Sequence, residues 1–262
     1  MEVDRIYNED CLKTMSRMTD GSVDLIVTSP PYNKSRAVSQ YALEHLNCHY
    51  KDFDDAKSNE EYLEWTLERF HEFERILKDD GCICYNISYA TDENRMSELM
   101  WLVVADIIKN TGFTVADRII WKKSNAIPNN VSPNKLTRIC EDVFVFCKKH
   151  SFDTFHCNKK VLSLSETGQK IYENRLNLVS AANNDGPCAI HKATYSTHLC
   201  FQLLDLYGIR GGLVYDPFIG TGTTALAALE WGMDYIGSEI SAEYCAFAEK
   251  RIGVKEAQPS LF

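Results

Sequence analysis

The sequence predicts an α/β fold with a doubly wound, mainly parallel sheet. Short apolar runs rich in β-branched residues alternate along the chain with longer segments whose apolar residues have helical spacing. A parallel strand needs a crossover of that length to reach the next strand, so this alternation favours helices on both faces of one sheet. At 262 residues the chain accommodates one full-size α/β domain with an elaboration, or two small domains.

The first part of the chain predicts a strand, a rigid loop and a long helix. Residues 24–28 form a β-branched run that stops at two consecutive prolines, which is typical of a buried strand ending in a fixed loop. Residues 58–61 have the spacing of a capping box, and aromatic and aliphatic residues follow at helical spacing. We expect Gly81 to end this helix and residues 82–87 to form the next strand.

The rest of the chain repeats this alternation, except for one stretch. From residue 151 to about residue 192 the periodicity fades and polar residues accumulate, which predicts an inserted region. The other predicted elements are a helix at 96–108, strands at 113–121 and 142–147, a loop at 125–134, a helix at 198–207, a strand at 213–215, a helix from 223, a strand at 235–236 and a helix at 242–251.

Charge is distributed unevenly along the chain. The net charge of −9 by itself argues against a nucleic-acid partner. Residues 118–175, however, hold eleven Lys or Arg against five Asp or Glu, a local balance of +6 that leaves −15 for the rest. A basic segment on an acidic body suits a module that contacts phosphates, although an ordinary solvated surface would show the same composition.

Composition also limits the compartment and the cofactor class. No apolar run approaches the ~18–20 residues of a membrane span, and the polar N-terminus lacks the apolar core of a signal peptide. The ten cysteines are scattered, without a Cys-x-x-Cys pair or four-ligand zinc spacing. We therefore expect buried free thiols, no metal, and a cytoplasmic protein (nuclear in a eukaryote).

The first candidate site is the glycine-rich loop from Asp216 to Thr224, between a predicted strand and a predicted helix. Gly220 and Gly222 permit tight turning and close ligand approach because they have no Cβ. The loop lacks the Gly-Lys-Ser/Thr ending of a P-loop and the third glycine of a dinucleotide fingerprint. Glu239, about twenty residues further on, is spaced to accept hydrogen bonds from ribose hydroxyls. Together these features predict a nucleoside site without pyrophosphate.

The second candidate site is the run Thr28-Ser29-Pro30-Pro31-Tyr32. Consecutive prolines fix φ and lack N–H donors, so they leave carbonyl oxygens held rigidly at the end of a strand. The aromatic ring of Tyr32 lies beside these acceptors in the sequence. This combination suits a planar base with an amino group, although a structural Pro-Pro turn with a packing tyrosine remains the alternative.

Both loops together resemble the DNA amino-methyltransferase family. Ser-Pro-Pro-Tyr precedes Asp-Pro-Phe-x-Gly-x-Gly-Thr-Thr here, as in the circularly permuted β class, and the resemblance extends from about residue 6 to residue 251. It implies a Rossmann-like, class I fold dependent on S-adenosylmethionine, in an enzyme of the restriction-modification type. The implied divisions are a catalytic half at 1–123, a DNA target-recognition region at 124–190 with a core strand at 142–148, a cofactor-binding half at 191–252 and a C-terminal tail at 253–262.

The resemblance also implies the roles of individual residues. Catalysis is carried over to Ser29, Pro30, Pro31 and Tyr32, where the Ser29 side chain and the Pro30 carbonyl accept protons of an exocyclic amine and Tyr32 stacks on the flipped base. The implied cofactor-binding residues are Asp10, which contacts adenine, and Thr28, Tyr195, Asp216, Pro217, Phe218, Gly220, Gly222, Thr223, Thr224 and Glu239.

The target base follows less directly. In the family, serine before Pro-Pro-Tyr tends to accompany cytosine N4, and aspartate tends to accompany adenine N6. Because Ser29 is a neutral group in place of an acceptor-only carboxylate, we favour cytosine N4, with adenine N6 as the alternative. The absence of a Pro-Cys loop argues against methylation of cytosine C5.

Double-stranded DNA is the predicted partner. The candidate phosphate contacts are Lys122, Lys123, Lys135, Arg138, Lys159 and Lys160. The tail residues Gln258, Leu261 and Phe262 resemble the short peptides with which DNA enzymes dock on sliding clamps; a tail that folds back on its own domain is the alternative. A homodimer is a further partner that the sequence leaves open.

Three rival functions remain. A methyltransferase acting on RNA or on protein glutamine also uses a Pro-Pro-Tyr loop, but such relatives usually place the cofactor loop first. A catalytically inactive DNA-binding protein would not need Asp10, Ser29, Tyr32, Asp216 and Glu239 to be intact. The sequence therefore favours an active DNA methyltransferase.

Overall fold

A computed structural model describes residues 1–33, 57–88, 91–92, 95–126, 128–130, 133–186 and 195–256. Within them, the strands are β1 (Arg5–Tyr7), β2 (Val23–Thr28), β3 (Leu77–Ile87), β4 (Thr91–Asp92), β5 (Arg95–Met96), β6 (Phe113–Lys123), β7 (Cys140–Lys148), β8 (Val161–Leu164), β9 (Lys170–Tyr172), β10 (Leu178–Ala181), β11 (Leu213–Asp216) and β12 (Asp234–Ser238). The α-helices are α1 (Cys11–Met15), α2 (Asn59–Ile76), α3 (Leu99–Asn110), α4 (Thr197–Tyr207), α5 (Thr223–Trp231) and α6 (Ala242–Glu256).

Eight strands form the central sheet, in the order β1-β12-β11-β2-β3-β7-β6-β10. Neighbouring strands run parallel except at β7, which is antiparallel to both β3 and β6. The mainly parallel sheet predicted from the sequence is therefore confirmed. The hairpins β4–β5 and β8–β9 lie outside this sheet.

Helices cover both faces of the sheet, as doubly wound folds require. One core packs α4, α5 and α6 against Leu25 and Val27, and the other packs α1, α2 and α3 against Val23 and Ile26. Leu25, Ile26 and Val27 alternate between the two faces, whereas Val23 precedes a register irregularity and shares the face of Ile26. All of β2 is buried. Among the described helices, none combines the length and apolar character that a membrane crossing requires.

The start of α2 agrees with the prediction, but its end does not. The Ser58 side chain accepts a hydrogen bond from the Glu61 amide at 3.1 Å, and Glu61 accepts one from the Ser58 amide at 2.8 Å, which completes the capping box. The helix ends at Ile76, and Gly81 lies within β3. A Cβ at Gly81 would lie 2.8 Å from the Asp24 carbonyl oxygen. The prediction that Gly81 ends the helix was wrong. This glycine lies inside β3, where the lack of a Cβ allows close contact with β2.

The predicted inserted region contributes one strand to the central sheet. Leu178–Ala181 forms β10 and pairs in parallel with β6. Its four residues alternate between exposed and buried, a pattern too short to stand out in the sequence. Both strands of the β8–β9 hairpin from the same region are exposed on every residue.

The parallel strands bring several loops to one edge. β1, β2, β3, β11 and β12 share a direction, so their carboxyl ends meet there. The chain leaves β11 towards β12 and leaves the adjacent β2 towards β3, in opposite directions along the sheet. This is a topological switch point, where open α/β sheets bind ligands.

Candidate active site

The two candidate loops leave adjacent strands and are joined by a hydrogen bond. Thr28 is the last residue of β2, and Asp216 is the last residue of β11. The Thr28 hydroxyl donates to Asp216 Oδ1 at 2.8 Å, across 188 positions of sequence. Both residues are buried. The Pro-Pro-Tyr loop and the glycine-rich loop therefore belong to one site.

Asp216 holds the glycine-rich loop in place through several hydrogen bonds. Its carboxylate also accepts from the Phe218 amide at 3.0 Å, the Thr224 hydroxyl at 2.5 Å and the Tyr195 hydroxyl at 3.0 Å. Burial raises the pKa of Asp216 above its usual range, and the hydrogen bonds from Thr224 and Thr28 oppose that shift. Tyr195, predicted as a cofactor contact, thus binds the loop itself through Asp216 and Thr224.

The two glycines of the loop have different structural roles. Gly220 and Gly222 have φ values of 53° and 83°, in the left-handed region that favours glycine. A Cβ at Gly222 would lie 2.9 Å from Ala248 Cβ, so Gly222 is required for packing against α6. A Cβ at Gly220 would meet nothing closer than the Phe218 carbonyl oxygen at 3.9 Å. The space over Gly220 is therefore open to a ligand.

Glu239 follows β12 and reaches back to the loop. Its Oε2 accepts from the Gly220 amide at 3.0 Å, and its Oε1 accepts from the Ser241 amide at 2.8 Å. A carboxylate offers about four lone-pair positions, so these bonds are compatible with the predicted ribose contact. The Asn8 side chain donates to the carbonyls of Glu239 at 2.9 Å and Ile240 at 3.0 Å, which ties the end of β1 to the same place.

Asp10 lies two residues beyond Asn8 and begins α1. Its Oδ1 accepts from the Leu12 amide at 2.8 Å, and its Oδ2 lies 3.4 Å from a guanidinium nitrogen of Arg69. The Asp10 side chain is 51% exposed, whereas that of Arg69 is 7% exposed. The Asp10 carboxylate is thus fixed by Leu12 and Arg69 and remains accessible to solvent. A contact to an adenine amine requires such an accessible acceptor.

A row of aromatic rings lies between the glycine-rich loop and the Pro-Pro-Tyr loop. Phe218 stacks on Trp65 with ring centroids 5.4 Å apart, and Trp65 stacks on Tyr62 at 5.5 Å. The Arg69 guanidinium lies 4.0 Å from the Trp65 ring centroid, within cation–π range. Helix α2 therefore packs against the glycine-rich loop through Trp65.

The proline carbonyls differ in their surroundings. Tyr62 donates its hydroxyl to the Pro31 carbonyl at 2.7 Å. Within the described residues, the Pro30 carbonyl accepts no hydrogen bond. The Pro31 carbonyl thus has a partner within the site, and the role of the Pro30 carbonyl as a proton acceptor stays a prediction.

Tyr32 is held by its hydroxyl. That oxygen lies 2.9 Å from Ser29 Oγ, 2.9 Å from Asn86 Oδ1 and 3.4 Å from Glu141 Oε2. Asn86 comes from β3 and Glu141 from β7, so two further strands contribute to the site. The geometry brings Ser29 and Tyr32 together in one polar cluster at the carboxyl edge.

Lys123 also belongs to the polar cluster of Ser29 and Tyr32, and its side chain is largely buried. Its Nζ lies 2.5 Å from Glu141 Oε1, and the two side chains are 19% and 12% exposed. The same ammonium lies 5.1 Å from the Trp121 ring centroid. The structure therefore places this candidate phosphate contact inside the site, paired with an acid.

The other candidate DNA contacts divide between the two edges of the sheet. Lys122 at the end of β6 and Arg138 before β7 are exposed near the carboxyl edge of the sheet. Lys135, in the loop between β6 and β7, is half-buried. The residue before Lys159, Asn158, donates its amide to the Leu206 carbonyl near the end of α4. Lys159 and Lys160 therefore lie at the opposite, amino-terminal edge, away from the catalytic loop.

The residues present fit the S-adenosylmethionine that the resemblance implies. Asp10 offers an acceptor for the adenine amine, Glu239 an acid near the ribose position, and Gly220 an open backbone. All three lie at the carboxyl edge, on the β11–β12–β1 side of Thr28. The described residues contain no group of three or more His, Cys, Asp or Glu suited to a metal ion.

Several residues of the site had no clear sequence signal. Asn86 and Glu141 lie at strand ends beside buried apolar runs, where a polar residue is common, and Tyr62, Trp65 and Arg69 are periodic positions of an ordinary amphipathic helix. Their roles depend on which strands are neighbours. Residues 187–194 and the tail residues Gln258, Leu261 and Phe262 lie outside the described residues.

Comparison with known proteins gives a family match over most of the chain. A family model for N6- and N4-directed methyltransferases, described as DNA methylase, matches residues 23–250. Type II methyltransferase M.BglII of Bacillus subtilis is 26% identical over 94% of this chain and 68% of its own length. M.MthZI of Methanothermobacter thermautotrophicus is 28% identical over 95% of this chain and 76% of its own length.

Solved structures have the same fold. The PvuII DNA methyltransferase, cytosine-N4-specific, superimposes with a TM-score of 0.74 at 20% identity, covering 94% of this chain and 85% of that one. The complex of M1.HpyAVI with S-adenosylmethionine gives a TM-score of 0.60 at 23% identity, over 94% and 98% of the two chains.

Proposed function

Since the chain belongs to the DNA methylase family, we propose that it methylates the N4 amino group of cytosine at specific sites in double-stranded DNA. The protein is a DNA methyltransferase, and its cofactor is S-adenosylmethionine. Within the family both cytosine N4 and adenine N6 are possible targets. The identity and surroundings of Ser29 carry the choice of cytosine.

Two acceptors support attack by an exocyclic amine. The lone pair of such an amine is delocalised into the ring, so the nitrogen becomes nucleophilic only when its two protons are held by acceptors. Ser29 Oγ and the Pro30 carbonyl are the pair proposed here, and Tyr62 fixes the loop by binding the neighbouring Pro31 carbonyl. When bound, S-adenosylmethionine supplies an electrophilic methyl group on a sulfonium.

The base assignment rests on the chemistry of position 29. In the family, serine before Pro-Pro-Tyr tends to accompany cytosine N4 and aspartate adenine N6, and here a neutral hydroxyl stands in place of the carboxylate. The Ser29 hydroxyl already lies 2.9 Å from the Tyr32 hydroxyl. The PvuII enzyme, which has a similar fold, is cytosine-N4-specific, and this supports the same choice.

DNA contacts are proposed on the catalytic edge only. A base inside a duplex must be flipped out to reach the Ser29–Tyr32 loop, and phosphates beside it then need cations. Lys122, Lys135 and Arg138 lie near that edge and are the proposed phosphate contacts. Lys123 is assigned to the Glu141 pair.

Methyl transfer to unmethylated DNA tests the proposal. The protein is incubated with methyl-labelled S-adenosylmethionine and genomic DNA from a host without methylation, and the digested nucleosides are separated by mass spectrometry. N4-methylcytosine is the expected product. N6-methyladenine would replace the base assignment, and transfer to RNA but not to DNA would overturn the proposal. Asp10→Asn is a matched control, expected to weaken cofactor binding without changing the product base.

Cellular context and partners are proposed on similarity alone. The curated relatives are Type II methyltransferases, so a cytoplasmic role in restriction-modification is proposed here as well. A homodimer and a sliding clamp bound by the tail remain predictions. Light scattering of the purified protein and of a variant truncated after residue 256, with and without a clamp, measures both.

A further inference from the structure

The hydrogen bonds around Ser29 have a defined order of donors and acceptors. This order can be traced from a backbone carbonyl. The Asn86 side chain is buried at the end of β3, and its Nδ2 donates to the Asp142 carbonyl at 3.1 Å. A flipped amide would place two oxygens against each other. The Asn86 amide is therefore oriented with Oδ1, an acceptor, towards the Tyr32 hydroxyl at 2.9 Å.

Tyr32 has one hydroxyl hydrogen, and its two neighbours on this side both accept. Besides Asn86 Oδ1, Glu141 Oε2 lies 3.4 Å away. The Glu141 carboxylate also accepts from Lys123 Nζ at 2.5 Å, and it faces Tyr32 as a second acceptor. Tyr32 therefore directs its hydrogen to Asn86 and Glu141, away from Ser29.

The direction of the remaining bond follows. Ser29 Oγ lies 2.9 Å from the Tyr32 oxygen, and one of the two must donate. Because the Tyr32 hydrogen is engaged elsewhere, Ser29 donates to Tyr32. The lone pairs of Ser29 Oγ then face outward, and its hydrogen points away from the substrate.

We propose that Asn86 is a positioning residue that sets the direction of the hydroxyl hydrogens in Tyr32 and Ser29, so that Ser29 meets the target amine as an acceptor. Asn86 does not touch the base in this proposal. Asn86 affects catalysis only through the hydroxyl groups of Tyr32 and Ser29. The inference rests on the proposed function, since it requires an amine that donates to Ser29, and it holds for cytosine or adenine.

Double-mutant cycles with Ser29→Ala test this chain of hydrogen bonds. The single-turnover rate of methyl transfer is measured for Asn86→Leu, Ser29→Ala and the double variant, together with cofactor affinity by calorimetry. Without the acceptor at position 86, the Tyr32 hydrogen keeps only the long 3.4 Å contact to Glu141, so Tyr32 can donate to Ser29 and the Ser29 hydrogen can point towards the amine. Asn86→Leu should then lower the rate about tenfold, the kinetic equivalent of one hydrogen bond, with cofactor affinity unchanged.

The second mutation should have little effect once the Ser29 hydroxyl is gone. In the Ser29→Ala background, Asn86→Leu should lower the rate less than about twofold, because the group it positions is absent. Equal losses in both backgrounds would overturn the proposal, since a merely structural role is additive. No loss from Asn86→Leu alone would overturn it as well.

A second cycle covers the case in which Asn86→Leu does not fold. Tyr32→Phe keeps the ring that stacks on the base but removes the acceptor of the Ser29 hydrogen, so it should show the same coupling to Ser29→Ala; additive losses overturn the proposal here too. Asn158→Leu is the matched control, because Asn158 donates to the Gly208 carbonyl at 2.7 Å at the far edge of the sheet. Its rate should equal the wild type. Wild-type protein inactive on DNA would instead refute the proposed function.

Discussion

The hydroxyl of Thr28 lies 2.8 Å from a carboxylate oxygen of Asp216, and this bond joins the Pro-Pro-Tyr loop to the glycine-rich loop. It connects two adjacent parallel strands at the point where the chain turns away in opposite directions. Methyl transfer needs donor and acceptor held within van der Waals contact and in line. A direct bond between the two strand ends supplies part of that rigidity.

Thr28→Val should destabilise the fold by about 2 kcal/mol. The substitution keeps the shape of the side chain but removes one donor from a buried carboxylate, and hydrogen bonds to charged groups contribute roughly 1.5–3 kcal/mol. The remaining burial also raises the pKa of Asp216 further, because the Thr28 bond opposes that shift. Urea unfolding at neutral pH measures the loss.

Thr66→Val is the matched control for that measurement. Thr66 is equally buried, but its hydroxyl bonds only neutral groups, the Tyr62 carbonyl at 2.8 Å within α2 and the Tyr85 side chain, and no carboxylate. Its loss should stay below about 1 kcal/mol. Equal destabilisation by the two variants would show that Thr28 has no special link to Asp216.

Tyr62→Phe should slow methyl transfer without weakening cofactor binding. The ring stays stacked on Trp65, but the 2.7 Å bond to the Pro31 carbonyl is lost and the catalytic loop gains freedom. A threefold to tenfold decrease in kcat, about one hydrogen bond, is expected. Tyr85→Phe is the control, because Tyr85 contacts the Tyr62 hydroxyl but not Pro31. A rise in the cofactor Kd with unchanged kcat would contradict this role.

The start of α1 should make stability depend on pH through Glu9. A hydrogen bond from Arg17 is the main cause that lowers the pKa of Glu9 from 4.5 to about 2. Since the folded pKa lies below the unfolded one, the stabilisation is fully present above pH 4.5 and is lost as the pH falls towards 2.

Glu9→Gln should therefore lower the thermal unfolding temperature at neutral pH, and the difference from the wild type should shrink below pH 4.5. Thermal unfolding followed by circular dichroism over that range measures it. Glu2→Gln is the control, since the Glu2–Arg5 pair is exposed and such pairs contribute little. A difference that persists unchanged in acid would rule out the Glu9 carboxylate as its source.

Local signals in the sequence were sufficient for six of the eight strands of the central sheet, all but β1 and β10, and for the two loops. The capping box at Ser58 and the β-branched run of β2 specify their elements within a few residues, and Pro30 and Gly222 mark the loops by backbone chemistry that other residues cannot supply. These are properties of short segments, so no knowledge of strand order was needed.

The parts that sequence could not predict depend on strand order. Glu141 is a site residue only because β7 inserts antiparallel beside β3, and Lys159 leaves the site because its segment is bound to the end of α4. Lys123 looked like a phosphate contact since its pairing with Glu141 crosses 18 positions. Gly81 was misassigned because the contact that requires it lies on another strand.

Gly222→Ala should damage both stability and cofactor binding, for two separable reasons. The residue has φ of 83°, which costs an L-residue roughly 1–2 kcal/mol, and an added Cβ would lie 2.9 Å from Ala248 Cβ. Gly168→Ala separates the two, because Gly168 has φ of 78° but no atom within 4 Å of the added Cβ. Gly168→Ala should show the backbone cost alone, with normal cofactor affinity.

Gly222→Ala should lose more free energy of unfolding, because α5 must move away from α6. Calorimetry should also show weaker cofactor binding, since Gly222 begins α5 beside the open backbone of Gly220. Equal effects of the two substitutions would mean that contact with Ala248 does not shape the cofactor loop.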